Sequence, residues 1–171
     1  MTGDAWDNPF NPRIALFAAR ESQPVTGRKR DGNAGEVIRL EGRQISSGVG
    51  TGKALVLKSD LSFLGGVDPE TGRIKDKGTG AFNRTVRNRV LVFPKGKGST
   101  VGSYVIYGLR ANGKAPAAIV NAQTETIVAT GAILAKIPMV DEVDIGAIRT
   151  GDWVTVDGDK GEVIVHRAGG D

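Results

Sequence analysis

Residues 88–113 read NRVLVFPKGKGSTVGSYVIYGLRANG, and this stretch contains the pattern that decides the fold. Its first seven residues form a short apolar run that is typical of a buried strand and ends at Pro94. After a glycine-rich loop, apolar residues at 101, 105, 106 and 109 have helical spacing, and Gly113 suits a helix C-terminus. The sequence therefore predicts a strand, a glycine-rich loop and a helix in succession.

The segments on either side predict more strands and a second helix. Residues 37–46 alternate apolar and polar side chains, as a half-buried strand does, and residues 52–59 predict the next strand. Between them, the glycine-rich stretch GVGTG at 48–52 predicts a turn. Downstream, the patterns predict a buried strand, an amphipathic helix, a strand and a closing hairpin, at 116–122, 125–137, 139–140 and 151–166.

This order of elements favours an α+β domain. We predict a β/β/α domain over residues 36–168, built as a partly closed β-barrel with two packed helices. Residues 1–35 differ in composition, since they hold three of the seven prolines and the basic run at 28–30. We predict that they form an N-terminal extension that is partly disordered or docks on a partner, with one or two helical turns at 14–19.

Cysteine and histidine usage excludes several kinds of chemistry. The 171-residue chain has no cysteine, so it offers neither a thiolate nucleophile nor cysteine ligands for zinc or an iron–sulfur cluster. Its one histidine, His166, disfavours a histidine-rich metal site and a Ser-His-Asp triad. There is no apolar run of the roughly 20 residues that a membrane span needs, and no secretory signal pattern at the N-terminus. We expect a soluble cytoplasmic protein with no membrane partner.

The charge balance favours a small anion over a nucleic acid. The formal net charge is only +4, and 5% of the residues are aromatic, so surfaces for base stacking are scarce. A basic run such as 28–30 is more often solvated than bound to nucleic acid. We therefore expect no nucleic-acid partner.

The loop at 95–103, KGKGSTVGS, is the first candidate site. Three glycines let the backbone approach a ligand, and the following helix N-terminus presents free N–H groups to an anion. Ser99 or Thr100 can cap that helix, which is the commonest task of a serine there. The loop matches neither the GxxxxGK[ST] phosphate-binding pattern nor a GxGxxG motif. The residues alone leave helix capping and anion binding both open.

The second candidate segment is SFLGGVDPETG at 62–72. Asp68 before Pro69 is typical of a turn, whereas the adjacent glycines Gly65 and Gly66 permit a ligand to approach the backbone. Composition does not separate these two interpretations.

Five segments in order resemble the swivel domain of the aconitase X family, and most closely its archaeal small-subunit members. They are SFLGGVDPETG, KGKGSTVGSYV, NGKAPAAIVN, ETIVATGAILAKIPMV and GDWVTVDGDKGEVIV, and the resemblance covers about residues 36–166. The strand NRVLVFP departs from the pattern at Asn88, where a small residue is expected. The resemblance implies a swivelling β/β/α domain.

The resemblance also implies a function. The chain would be the small subunit of a heterodimeric hydro-lyase that dehydrates (R)-5-phosphomevalonate to trans-anhydromevalonate 5-phosphate, in an archaeal route to isoprenoids. A larger aconitase X-type subunit would hold a four-iron four-sulfur cluster, with no cofactor on this chain. Ser99 would be the catalytic base. Substrate contacts would come from Lys97, Gly98, Thr100, Gly65, Gly66 and Asp68, and the phosphate would meet Lys95, Lys97 or Arg110.

Three alternatives remain. Another branch of the family would dehydrate hydroxyproline or a different hydroxy acid. A phosphohistidine-type swivel domain would carry a phosphoryl group, but it needs a histidine in the glycine-rich loop, where this chain has Ser99. A non-enzymatic scaffold would use the N-terminal extension as its functional part.

Overall fold

The computed structural model describes residues 29–30 and 35–167. The helices are α1 (Phe63–Gly66), α2 (Gly102–Ala111) and α3 (Thr126–Leu134). Helix α1 is a single irregular turn, whereas α2 and α3 are regular helices, and two 3₁₀ turns lie at Lys77–Thr79 and Ile145–Ala147. The strands are β1 (Lys29–Arg30), β2 (Glu36–Glu41), β3 (Arg43–Ser46), β4 (Val49–Val56), β5 (Val90–Phe93), β6 (Ala118–Asn121), β7 (Met139–Asp141), β8 (Trp153–Asp157) and β9 (Glu162–Arg167).

The strands form one mixed sheet in the order β1-β2-β9-β8-β4-β5-β6-β7-β3. Strand β4 joins its two halves. Residues 49–53 pair antiparallel with β8, whereas 54–56 pair parallel with β5. Strands β5, β6 and β7 continue the parallel half, so their carboxyl ends lie at one edge of the sheet.

Two apolar layers hold the domain together. The antiparallel half faces the parallel half through a layer of valines, including Val92, Val120, Val154 and Val165, all fully buried. On its other face, the parallel half packs Leu91 and Phe93 against α2 and α3, which bury Ile106, Leu109, Val128 and Ala132. Alternate residues of one strand therefore serve different layers, which follows from the two-residue period of a strand. Full burial of such a side chain stabilises the fold by about 1.5–3 kcal/mol.

The predicted α+β class and the β/β/α layering are confirmed. The sheet is not a closed barrel, because in the described part of the chain its ladder ends at β1 and at β3. The predicted closing hairpin is β8 and β9, and the two predicted helices are α2 and α3.

The predicted turn at 48–52 is wrong, because most of this stretch belongs to strand β4. A β-carbon on Gly50 would collide with the carbonyl of Ala117, and one on Gly52 would collide with the carbonyl of Asn88. These glycines therefore allow neighbouring backbone to approach a continuous strand.

The predicted extension at 1–35 lies outside the described residues, apart from β1 and Gly35. Its proposed helical turns and its docking role stay predictions, as does the domain boundary at residue 168.

Candidate active site

The glycine-rich loop follows β5 at the carboxyl edge of the parallel strands and is hydrogen-bonded to the segment before α1. The Leu61 N–H donates to the Lys95 carbonyl at 3.0 Å, and the Lys97 N–H donates to the Leu61 carbonyl at 3.0 Å. These two bonds hold the loops at 62–66 and 95–101 side by side. The structure thus brings together two segments that lie about thirty residues apart in the sequence.

Ser99 is exposed at the start of α2. Its Oγ accepts the N–H of Val101 at 3.2 Å, and its carbonyl accepts the N–H of Gly102 at 2.9 Å. The side chain therefore closes a short turn that ends at Val101, the N-cap of α2. Its oxygen lies close to the N-terminus of α2 and to the positive field of that terminus.

Gly98 determines how the loop reaches Ser99. Its φ is +91°, and a β-carbon there would collide with Ser62 Oγ. The Ser62 hydroxyl donates to the Leu64 carbonyl at 3.0 Å, which fixes the turn beside it. The positive φ favours glycine here, and any larger residue would also force the Ser62 hydroxyl to move.

The short turn α1 lies against the first turn of α2. A β-carbon on Gly102 would be 3.6 Å from Phe63 Cβ and 3.7 Å from the Leu64 nitrogen. Gly65 has a φ of +83° and open space around the position of its missing side chain. Gly65 is therefore near the beginning of α2, as is the loop that carries Ser99. Gly66 is buried, and its carbonyl accepts the Lys75 N–H at 2.7 Å.

Asp68 has a clear structural role. Its Oδ1 accepts the Glu70 N–H at 2.9 Å, and backbone hydrogen bonds of this kind lower the pKa of its carboxyl. The next residue, Pro69, contacts the second half of α2: a β-carbon on Gly108 would be 3.3 Å from Pro69 Cβ. Gly108 is six residues beyond Gly102, or about 9 Å along the helix. The structure does not bring Asp68 to the Ser99 end of the helix.

The candidate cations also lie at two different ends of α2. Lys95 and Lys97 lie in the loop itself and are exposed, and neither forms an ion pair with a carboxylate among the described residues. Thr100 is exposed beside them, and its carbonyl accepts the hydroxyl of Ser103. Arg110 lies at the other end of α2, where its Nε donates to the Ala135 carbonyl at 2.9 Å.

Two buried polar residues at the same sheet edge escaped the sequence analysis. Asn121 ends β6, donates from Nδ2 to the Phe93 carbonyl at 3.1 Å, and has no partner for Oδ1 within the described residues. Asp141 ends β7 and accepts two bonds of 2.9 Å from Arg43 and one of 2.8 Å from the Thr124 N–H. The sequence did contain a signal for both, because each is a polar residue that ends an apolar run, AIVN and MVD.

Exposed apolar side chains flank the loop. Leu64, Val101, Tyr104 and Tyr107, which we call the α2 face, are between 45% and 73% exposed, and Tyr104 is the most exposed. Val101, Tyr104 and Tyr107 are spaced three residues apart and therefore share one side of α2. Apolar side chains grouped in this way are typical of a surface that another protein covers.

The described residues offer no site for a metal ion. Within 29–30 and 35–167, no group of three histidine, aspartate or glutamate side chains is arranged to bind one, and the chain has no cysteine. Over the same ranges, no helix is long and apolar enough to cross a membrane. His166 lies on β9, in the antiparallel half, and is not part of the glycine-rich loop.

Comparisons with known proteins all point to one family. The family model of the aconitase X swivel domain matches residues 39–165. A protein of Thermococcus sibiricus named phosphomevalonate dehydratase small subunit is 57% identical over 129 residues, which is 75% of this chain and 99% of that protein. A protein of Methanocella arvoryzae with the same name is 53% identical over 127 residues, which is 72% of this chain and 96% of that protein.

Two solved structures share the fold. The crystal structure of Thermococcus kodakaraensis aconitase X in its holo form matches with a TM-score of 0.75 and 52% identity, over 76% of this chain and 99% of the other. The solution structure of a UPF0107 protein matches with a TM-score of 0.71 and 48% identity, over 76% of this chain and 100% of the other.

Proposed function

This chain belongs to the aconitase X swivel domain family, and we propose that it is the small subunit of a phosphomevalonate dehydratase. Such an enzyme is a hydro-lyase that converts (R)-5-phosphomevalonate to trans-anhydromevalonate 5-phosphate. The observation that carries the proposal is identity of 48–57% to small subunits of that name, over 96–99% of their lengths. We place this enzyme in the cytoplasm, as the sequence predicts.

Within this enzyme, Ser99 is the base that takes the proton from the substrate carbon. A serine hydroxyl is a weak base unless the protein stabilises its alkoxide. Here the Val101 N–H already donates to Oγ, and the N-terminus of α2 contributes a positive field. Both groups are fixed before substrate binds, so they stabilise negative charge on Oγ without reorganisation.

Lys97 and the backbone around Gly98 complete the part of the substrate site that this chain supplies. The Lys97 ammonium is two residues from Ser99 and has no carboxylate partner in the described part of the chain, so it is free to meet a phosphate. Lys95 is a second candidate for the same contact. Thr100, Gly65 and Gly66 remain in the proposed substrate site, and Asp68 contributes through the turn that it holds.

The larger subunit must supply what this chain lacks. An iron–sulfur cluster needs thiolate ligands, and this chain has no cysteine to provide them. A four-iron four-sulfur cluster therefore does not fit on this chain, and we place it on the partner subunit. The α2 face lies next to Ser99, and we propose that the partner docks there so that Ser99 points into the shared site.

The test is Ser99→Ala in the complex with the large subunit. We expect turnover to fall by about 10²–10⁴-fold, as when a general base is removed, while the two subunits still assemble. The matched control is Ser103→Ala, which removes a hydroxyl four residues further along that donates to the Thr100 carbonyl. Steady-state turnover and size-exclusion chromatography measure both effects. Near-normal turnover of Ser99→Ala would leave Ser99 with its role in the turn before α2 alone.

Substrate choice needs its own measurement. The same complex is assayed with (R)-5-phosphomevalonate and with hydroxyproline, each over a range of concentrations. We expect dehydration of the phosphorylated substrate only. Dehydration of hydroxyproline only would assign the enzyme to another branch of the family and would not contradict the proposed role of Ser99.

A further inference from the structure

A second concave surface lies at the opposite end of the parallel strands from Ser99. It is a groove of about 620 Å³ whose floor is the first half of β4, with the segments 87–89 and 115–117 on one side and Trp153 on the other. These segments precede β5 and β6, whereas the Ser99 loop follows β5. Four residues of strand span about 13 Å, so the groove and the candidate active site are separate.

Among the described residues, the charged side chains that line the groove are all cations. They are Lys53, Arg87, Arg89, Arg110 and Lys136, and the described part of the chain contributes no aspartate or glutamate to the lining. None of the five forms an ion pair with a carboxylate of the described residues. Surface cations are usually interspersed with acidic side chains. Five uncompensated cations around one cavity therefore produce a strong local positive potential.

Two of the guanidinium groups are already held in place. Arg89 donates from Nε to the Lys53 carbonyl at 3.0 Å and from Nη2 to the Ala54 carbonyl at 2.8 Å. Arg110 donates from Nε to the Ala135 carbonyl at 2.9 Å and from Nη2 to the Lys136 carbonyl at 3.3 Å. Carbonyls orient a guanidinium without neutralising it, so both charges remain available to a ligand. Burial and the charge of Arg84 lower the pKa of Arg89, in agreement with the lack of an acidic partner among the described residues.

The glycines of the groove have a different explanation. Gly50 and Gly52 line the floor, but packing against the carbonyls of Ala117 and Asn88 already requires them, as described above. The cations and the shape of the groove are therefore the features that point to a ligand. Trp153 and the ring of Pro138 add an apolar wall that can contact a carbon-containing part of a ligand.

We propose that this groove binds an anion carrying several phosphate charges, such as a diphosphate or triphosphate group. Guanidinium forks match phosphate oxygens in geometry, and an anion with three or more charges can engage cations on several walls at once. A singly charged anion would leave most of the five cations uncompensated. The proposal does not depend on the dehydratase function, because no residue of the groove belongs to the Ser99 loop.

The experiment is a titration of the full-length chain with inorganic tripolyphosphate at about 0.15 M salt. Isothermal titration calorimetry measures the affinity, and Trp153 fluorescence reports on the groove in a Trp6→Phe background, since these are the two tryptophans of the chain. We expect saturable binding with one site per chain. Sulfate should bind more weakly by at least about tenfold, because it engages fewer cations.

Paired charge variants locate the site. The double variant Arg87→Gln and Lys136→Gln removes two groove cations whose side chains donate no hydrogen bond to any described residue, and we expect affinity to fall by about tenfold or more. The control, Lys75→Gln and Lys160→Gln, removes the same charge from exposed positions elsewhere, and we expect a change of less than about twofold. Equal losses in the two double variants would mean diffuse attraction and would overturn the proposal.

The last experiment is the same tripolyphosphate titration of the complex with the large subunit. Tripolyphosphate should bind the assembled enzyme with the same affinity as the isolated chain. Binding that disappears on assembly would show that the partner occupies the groove, and would overturn the assignment of a ligand site. Absence of saturable binding to the isolated chain would overturn it directly. Neither result bears on Ser99→Ala, so this proposal and the dehydratase proposal fail separately.

Discussion

Ser99 Oγ accepts the Val101 N–H, so the hydroxyl that the proposed reaction needs also holds the turn that leads into α2. The sequence alone leaves helix capping and anion binding both open; in the structure the N-cap of α2 is Val101, and Ser99 lies in the turn before it. A donor that satisfies the neutral hydroxyl stabilises its alkoxide more strongly, because hydrogen bonds to charged acceptors are the stronger ones. The structural role of Ser99 is therefore part of what suits it to accept a proton.

Gly98 provides a prediction at the same scale. Gly98→Ala places a side chain at a φ of +91° and against Ser62 Oγ, so we expect the loop to shift and turnover of the complex to fall by more than tenfold. The free energy of unfolding should fall by only about 1–2 kcal/mol, because the loop is exposed. Enzyme assays and urea unfolding measure the two effects.

The control is Gly113→Ala. Gly113 also has a positive φ, +69°, but its added β-carbon would meet nothing within 4 Å, and it lies at the far end of α2. Gly113→Ala should lower the free energy of unfolding about as much as Gly98→Ala does, but turnover of the complex should stay near normal. If both variants lose turnover equally, the close approach of Gly98 to Ser62 is not what positions Ser99.

At the scale of elements, α2 has two faces with different tasks. Val105, Ile106 and Leu109 pack into the core, whereas the α2 face points outward. The helix begins at the proposed base, so a partner that covers the α2 face is brought to Ser99 as well. One ten-residue helix thereby links the core, the catalytic loop and the proposed docking surface.

Tyr104→Ser tests this arrangement. Tyr104 is 73% exposed, so the domain should keep its stability, whereas affinity for the large subunit should fall by about tenfold or more, as for a central interface aromatic. Ile133→Ser is the control, since Ile133 is an exposed apolar residue of α3 that lies outside the α2 face. Titration of the large subunit, followed by calorimetry, gives both affinities. A larger loss for Ile133→Ser would place the docking surface on α3.

At the scale of the whole molecule, the parallel strands separate two surfaces of different character. Their carboxyl edge carries the Ser99 loop, and their amino edge carries the basic groove. The antiparallel half contributes Trp153 to the groove and no residue to the Ser99 loop. The packed sheet therefore lies between a ligand in the groove and Ser99. We expect the groove ligand and the dehydratase substrate to bind independently of each other.

His166 gives a prediction for global stability. It is half-buried on β9, and burial lowers the pKa of its imidazole. In the unfolded chain this pKa is about 6.5, so as the pH falls below that value the unfolded state gains a proton that the folded state resists. The free energy of unfolding should therefore fall as the pH drops from about 6.5 towards the lowered folded value, with a slope of at most about 1.4 kcal/mol per pH unit.

The measurement is urea unfolding between about pH 5 and pH 7.5, repeated with His166→Gln. The variant should lose this slope. The lowered pKa of Asp68 does not interfere, because its contribution is lost only as the pH falls below about 3.9. An unchanged slope in the variant would assign the pH dependence to other groups.

The sequence by itself determined the elements whose patterns are local. The apolar run of β5, the helical spacing of α2, the left-handed C-terminal residue Gly113 and the hairpin of β8 and β9 all follow from neighbouring residues. Asn88 also has a local explanation, because its φ of +58° is one that asparagine tolerates better than most residues. The same local pattern singled out the loop that carries Ser99, whereas its role as the base came from the family resemblance and stays a prediction.

Tertiary structure alone decided what depends on residues distant in the chain. Gly50 and Gly52 lie within strand β4, where the carbonyls of Ala117 and Asn88 come too close to leave room for a side chain. Asp68 and Arg110 lie away from Ser99 because a helix separates its two ends by about 1.5 Å per residue. The five cations of the basic groove come from four separate segments, since Arg87 and Arg89 share one. Their convergence has no sequence signal, because it arises only when the sheet and helices pack.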